Sequence, residues 1–264
     1  KPVLNMTGRF QKTWGDFGGI RSRASIEYDC IYGIANAIPP TIGDHFHPRG
    51  DLNRAVMALD KAVYHTLQPL QPWMDGAVPV VEIANVMKCG YPGNEWAGGD
   101  RPRQKELSQQ ALKSATRMLC ELKMQFDNVT TAVAWDRYKL LILPDEIEVD
   151  AAKAGHLQTH LDRGGAIIST GHSGLDSNGA KFALDAWGVD YQGDDPCDPA
   201  YIEFGPEFSA GMPDMPVTLY ERGTAISARP GTSVLATITA PYYSHQWDGR
   251  HGFRYTPPDQ NTGR

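Results

Sequence analysis

Thr41-Ile42-Gly43-Asp44-His45-Phe46-His47-Pro48-Arg49-Gly50-Asp51 packs three structural signals into one short stretch. Thr41 to Gly43 reads as a short strand and Asp44 to Gly50 as a polar loop at its C-terminal end. Asp51 is the predicted N-cap of the helix that follows. That helix runs to about Leu67, with Leu52, Val56, Leu59, Val63 and Leu67 on one face at helical spacing. The preceding residues repeat the pattern. Val3 to Gly8 is an apolar-rich strand and Arg9 to Gly19 a polar loop. A helix from about Ser25 to Ala37 carries Ile26, Cys30, Ile34 and Ala37 on one side, and Pro39-Pro40 stops it. Strand, helix, strand, helix, with polar residues just after each strand, predicts the last units of a (β/α) barrel. In that architecture the site lies at the C-terminal strand ends. Two such units do not close a barrel, so further units are expected before Lys1 or from another chain.

Pro69, Pro72 and Pro79 around Trp73 mark a boundary. Residues 1–75 are assigned to the barrel end and 76–264 to a second domain. The second domain opens on the near-continuous apolar run Val78 to Ala84. A long helix is predicted from Arg103 to Phe126, with Leu107, Ala111, Ala115, Met118, Leu122 and Phe126 as its buried stripe. Strands follow near Val129 to Ala134 and at Tyr138 to Leu143. A helix from Val149 to Asp162 is closed by Gly164-Gly165, a C-cap signal, and leads into the strand Ala166 to Thr170. Apolar strands alternating with amphipathic helices predict a parallel α/β sandwich. From Asp194 the chain is richer in Gly, Pro and aromatics and reads as loops with β structure.

At 264 residues the chain has room for about two domains. A net charge of −6 argues against nucleic acid as a partner, which wants a concentrated basic face. No apolar run approaches the roughly 18 residues that cross a membrane. The four cysteines form no CxxC pair, which excludes a zinc ribbon. Cys30 and Cys120 sit among apolar residues and are expected as buried free thiols, which favours a reducing compartment.

Asp44-His45-Phe46-His47 is the sharpest chemical signal. In an extended segment His45 and His47 point one way and Asp44 the other. Sugar recognition is one reading, with Asp44, His45, His47 and Arg49 bonding hydroxyls. A metal site is another, but it needs a third ligand, for which only Asp16 or His245 offers itself. A hydrogen-bonded structural loop is the plainest reading. In the first loop Arg9 and Asp16 can clamp hydroxyls and Trp14 offers a face to a pyranose ring; otherwise Arg9 and Asp16 pair with each other and Trp14 is cover. Glu27 and Asp29 are expected to be solvated or paired with Arg23. His156 and His160, one helical turn apart, read as an exposed polar face. Thr170-Gly171-His172-Ser173-Gly174 lacks the spacing of a nucleophile elbow. In Pro241-Tyr242-Tyr243-Ser244-His245-Gln246-Trp247 the concentration of aromatics suggests an arm, with His245 or Gln246 able to bond a sugar hydroxyl.

Pro2 to Phe10, Trp14 to Gly18, Gly43 to Gly50 and Ile83-Ala84 resemble bacterial glycoside hydrolases that include some α-L-fucosidases. Those enzymes have a (β/α)8 barrel followed by a flavodoxin-like, class I glutamine-amidotransferase-like domain. That second domain is similar to the trimerisation domain of certain β-galactosidases. Tyr138 to Asp145 and Gly164 to Ile168 resemble it. The resemblance implies a retaining two-carboxylate glycosidase, most like an α-L-fucosidase, with β-galactosidase-like specificity as the runner-up. A non-catalytic oligomerisation module, or a metal-dependent hydrolase using His45 and His47, would also fit these residues. The implied barrel has about six more βα units ahead of Lys1. The strand Asn5 to Arg9 carries no carboxylate, so the nucleophile is expected upstream, with Asp16 and Asp44 as weak acid/base candidates. The second domain lacks a nucleophilic Cys after its Gly-rich strand; Thr170 to Ser173 stand there, so its implied role is assembly of a homo-oligomer. Arg9, Trp14, Asp16, Asp44, His45, His47, Arg49 and His245 are the expected carbohydrate-binding residues. No cofactor or metal is expected, and a bacterial cytoplasmic location is.

Overall fold

Strands β1 (Asn5–Gly8) and β2 (Pro40–Gly43) run parallel, with Asn5 opposite Pro40 and Gly8 opposite Gly43. The computed structural model describes residues 4–88, 102–130, 133–243 and 256–263. A parallel pair needs a crossover connection, and helix α1 (Arg23–Ala35) supplies it. Ser22 caps α1 by accepting from the Ser25 amide. Helix α2 (Arg54–Leu67) follows β2, and the single-turn helix α3 (Gln71–Met74) comes after it. Its N-cap is Asn53, which accepts from the amides of Ala55 and Val56, not the expected Asp51. Ile26 and Cys30 of α1 pack on Val63 and Leu67 of α2, with Ile34, Ile42 and Leu59 around them. Two parallel strand–helix units thus share one apolar core, which is the barrel-end architecture read from the sequence.

The chain divides into two compact units, 1–80 and 81–264. The second is built on β3 (Ile83–Met87), α4 (Pro102–Glu121), β4 (Phe126–Thr130), β5 (Leu140–Leu143), α5 (Ala151–Asp162) and β6 (Ala166–Ser169). The four strands form an all-parallel sheet in the order β4-β3-β5-β6. By order of appearance that is 2-1-3-4, the doubly wound order of flavodoxin-like folds. Its core is Ala84, Val86, Leu141 and Leu143 from the strands with Trp135, Tyr138, Ile147 and Leu157 around them. Beyond it, β7 (Val189–Asp194) pairs antiparallel with β10 (Thr224–Ala228). Strands β8 (Ala200–Phe204), β9 (Val217–Leu219), β11 (Ala236–Pro241) and β12 (Pro258–Asn261) form an antiparallel sheet ordered β12-β11-β8-β9.

Three sequence expectations are corrected. The strand predicted from Val78 starts only at Ile83, and Val78 and Val80 are exposed. The α4 stripe is rotated: Met118 is 57% exposed and Leu122 lies beyond the helix, while Ala115 and Leu119 are buried. The reason is polar. Buried Asn85 on β3 donates to Leu112 O and to Thr116 Oγ1, so the inward face of α4 carries a threonine that hydrophobic spacing passes over. Cys30 is buried as expected, but Cys120 is exposed.

Candidate functional site

The β1–β2 register decides the geometry of the first site. Because Gly8 faces Gly43, Arg9 and Asp44 leave the two strands side by side. The Arg9 amide donates to Gly43 O at 3.2 Å, and its Nε donates to Oδ1 of Asp44 at 2.8 Å. Nη1 donates to the carbonyls of Phe17 and Gly19. The guanidinium lies 4.2 Å from the Phe10 ring centroid, and the residue is 1% exposed. A desolvated guanidinium must spend its donors on protein groups. Arg9 is therefore a clasp between the two strand-end loops. The expected sugar contact from Arg9 and the alternative Arg9–Asp16 pair are both replaced by this arrangement. Asp16 instead accepts the Gly19 amide through Oδ1 and shapes its own turn.

Around that clasp the structure gathers an aromatic cluster. Phe10 and Trp14 meet edge to face at 5.1 Å, and Trp14 and His45 at 5.9 Å. Phe17 stands 6.0 Å from both His45 and His47, so the two imidazoles share a side while Asp44 turns inward to Arg9. Gly50, at φ +87, turns the loop, and its amide donates to His47 O. Trp14 is 51% exposed, and Phe46 and His45 are exposed beside it. The surface so formed has flat apolar faces and imidazole nitrogens that donate or accept, the combination that suits a sugar ring. Arg49 is not drawn into it; it turns back to Asp51 at 3.2 Å. Among the described residues, no group of three or more His, Cys, Asp or Glu is placed to hold a metal ion. His245 and the arm around it from Ser244 lie outside the described residues.

The carboxylates of α1 are engaged. Glu27 pairs with Arg23 at 2.7 Å, as expected. Asp29 pairs instead with Arg21, and accepts from Thr7 Oγ1 of β1, both at 2.7 Å. Arg21 also donates to Thr7, Gly8 O and Ser25, making it the hub that ties α1 to β1. The Thr7 hydrogen bond, with help from Arg21 and against the effect of burial, holds the Asp29 carboxyl below its usual range.

A second polar site sits at the C-terminal edge of the parallel sheet, where doubly wound folds place ligands. His172, after β6, lies between Glu146 (Nδ1 to Oε1, 3.2 Å) and Asp194 (Nε2 to Oδ1, 2.8 Å). Burial works against its charge, but the two carboxylates outweigh burial and raise its pKa. With Lys88, Glu148, Asp176 and Tyr191 it borders a cleft of about 490 Å³. An imidazole so placed can hold a proton between two acids. Sequence reasoning passed over it because Glu146 and Asp194 are distant along the chain. Ser173 next to it is 1% exposed, and its Oγ accepts the Ile147 amide at 3.0 Å. His160, expected on an exposed face, is buried, with Nε2 3.1 Å from Ala166 O.

No family model matches the chain, and no curated protein matches it. Solved structures do. An α-L-fucosidase, isoenzyme 2 from Paenibacillus thiaminolyticus, matches 98% of the chain at 27% identity with a TM-score of 0.83. A GH42 β-galactosidase from G. stearothermophilus matches 92% at 18% identity and 0.67. A β-galactosidase from Bacillus circulans sp. alkalophilus matches 92% at 14% identity and 0.66. The chain spans 38% of the length of the first two and 40% of the third. At those lower identities the β-galactosidases bear on the fold alone. Over nearly its whole length, then, the chain resembles part of a glycoside hydrolase, with the α-L-fucosidase alike in both fold and sequence.

Proposed function

We propose that the chain is the C-terminal part of a retaining glycosidase with α-L-fucosidase-like specificity. The observation that supports this most is the likeness to the P. thiaminolyticus enzyme, 27% identity across 98% of the chain. The two strand-end loops fit the reading. Trp14, His45 and His47 form one wall of a sugar pocket, and the Arg9–Asp44 clasp holds that wall rigid. A retaining mechanism needs two carboxyl groups roughly 5–5.5 Å apart. Asp44 is committed to Arg9 and Asp29 to Arg21 and Thr7. In this reading the nucleophile comes from other βα units of the barrel. The second unit, with no cysteine at 170–173, serves assembly into a homo-oligomer and not ammonia transfer. The work is carbohydrate hydrolysis in a bacterial cytoplasm without a cofactor.

The test is hydrolysis of aryl α-L-fucoside and aryl β-D-galactoside by the protein carrying whatever sequence its gene supplies on either side. Fucoside turnover with retention of configuration is expected. His45→Ala should cost about 10²-fold in affinity or rate if the imidazole contacts the reacting sugar. The 264 residues alone are expected to be inactive. Turnover by the isolated chain, or a preference for galactoside, would overturn the reading.

A further inference from the structure

The turn that carries His172 is fixed by hydrogen bonds to the segment after β5. Thr170 Oγ1 donates to Asp145 Oδ1 at 2.7 Å. Ser173 Oγ accepts the Ile147 amide and the Gly174 amide donates to Ile147 O, both at 3.0 Å. His172 and Glu146 therefore belong to one frame at the C-terminal edge of the parallel sheet. Asp194 does not. It ends β7, which pairs with β10 in a separate two-stranded ribbon. The opposite end of that ribbon, where Val189 faces Ala228, is anchored by Arg229, which pairs with Asp185 at 2.9 Å and Asp190 at 2.6 Å. At the near end Asp194 meets the frame through His172 Nε2 at 2.8 Å, while Nδ1 stands 3.2 Å from Glu146 Oε1.

An ionised carboxylate only accepts. A ring with a carboxylate oxygen at each nitrogen needs two N–H groups, so this arrangement is that of an imidazolium. A neutral ring has one N–H, and its other nitrogen would turn a lone pair toward a carboxylate. One contact must then part. Glu146 is 17% exposed and held in the frame, whereas Asp194 is 56% exposed and can turn to water. The other titratable groups around the cleft are Glu148 from the β5–α5 connection, Asp176 from the turn itself, Lys88 after β3 and Tyr191 of β7. Tyr191 meets the imidazole edge to face at 6.2 Å. Burial and both carboxylates hold its hydroxyl above the ordinary value, so it stays neutral while the ring titrates. Burial opposes the charge on His172, and Asp194 and Glu146 outweigh it.

We propose that His172 is a proton-dependent latch: its imidazolium holds the Asp194 end of the β7–β10 ribbon to the frame, and loss of the proton to solvent frees that end and widens the cleft of about 490 Å³ beside it. The native value of the ring is raised, so the latch is shut in mildly acidic solution and opens as pH rises through that value. The Arg229 anchor does not titrate in this range, so the far end of the ribbon stays in place.

The experiment follows the His172 and Tyr191 ring protons of the 264-residue chain by NMR, with a neutral paramagnetic chelate in solution to report access to the cleft. The His172 titration locates the native value. Relaxation enhancement at Tyr191 should rise about two- to fivefold as pH passes through it, the population change that a partly exposed ion pair holds back. In Asp194→Asn the amide donates to a neutral imidazole and its carbonyl accepts from a charged one. That latch should stay shut at every pH, with the enhancement low and flat. His172→Gln has one nitrogen in place of two and should show the high value throughout. An enhancement that stays flat in the parent while the ring titrates overturns the proposal. So does Asp194→Asn that keeps the parent's rise, or His172→Gln that follows the parent. If His172→Gln does not fold, the parent and Asp194→Asn still decide.

Discussion

The indole of Trp14 lies against the backbone of Gly43 so closely that a Cβ at position 43 would meet Cη2 at 2.7 Å and Cζ3 at 2.8 Å. Gly43 is the last residue of β2, and Trp14 belongs to the loop after β1. The missing side chain at 43 therefore sets where the exposed aromatic face stands. Phe10 meets the indole edge to face at 5.1 Å.

Gly43→Ala should push the indole away at a cost of about 1–3 kcal/mol, the usual range for overpacking. The Trp14 emission, taken as the difference from a Trp14→Phe control, should move toward that of a solvated indole. Unchanged emission and stability would show that the loop yields freely and does not position Trp14.

Arg9→Met removes the only cation paired with Asp44 among the described residues and leaves a buried carboxylate without that partner. Breaking a buried pair from one side costs about 3–5 kcal/mol. Urea unfolding should show that loss. A cost below about 1 kcal/mol would place the pair in the class of surface bridges.

Asp29 is held below its usual pKa by Thr7 first and Arg21 next. A depressed native value means stability that is present above the unfolded carboxyl value and lost as pH falls through the native value. Asp29→Asn should cost about 1 kcal/mol at neutral pH, a modest figure because the side chain is 35% exposed. The difference from the parent should vanish in acid. A pH-independent difference would assign the effect to packing.

Ser173→Ala removes the acceptor of the buried Ile147 amide. About 1–3 kcal/mol should be lost, the cost of leaving that donor unmade. Glutaminase activity should be absent before and after. Ammonia release from glutamine that depends on Ser173 would restore a catalytic role to this turn.

Elements with strong periodicity are legible in the sequence. The α1 and α2 faces carrying Ile26, Cys30, Val63 and Leu67 and the run Leu140–Leu143 all lie where spacing puts them. The features that escape it depend on partners distant along the chain. Nearness in the loop pairs Arg9 with Asp16, but the parallel register brings Asp44 to it from beyond α1. Asn53 displaces Asp51 as the α2 cap because cap choice turns on a residue or two, below the precision of periodicity. The α4 stripe misleads because hydrophobicity counts Met118 and not Thr116, which bonds to Asn85. In sequence Asp60 is one more helix-surface acid; only the burial of its Oδ1 sets it apart.

His172 gives the last prediction. Its imidazole lies 2.8 Å from Asp194 and 3.2 Å from Glu146. Burial alone would lower its pKa, and the two carboxylates together reverse that effect. With the native value above the unfolded one, its contribution is fully present below the unfolded value of about 6.5 and is lost as pH rises through the native value. His172→Gln should therefore cost stability in mildly acidic solution and little in alkaline solution. The side chain is 37% exposed, so the expected cost is below about 1 kcal/mol. Asp194→Asn should bring the His172 ring titration down toward its ordinary value, read by proton NMR, while the second unit stays folded. A ring that titrates at the ordinary value in the parent, or that ignores Asp194→Asn, would remove the carboxylates as the cause and leave the cleft with an uncharged imidazole at its edge.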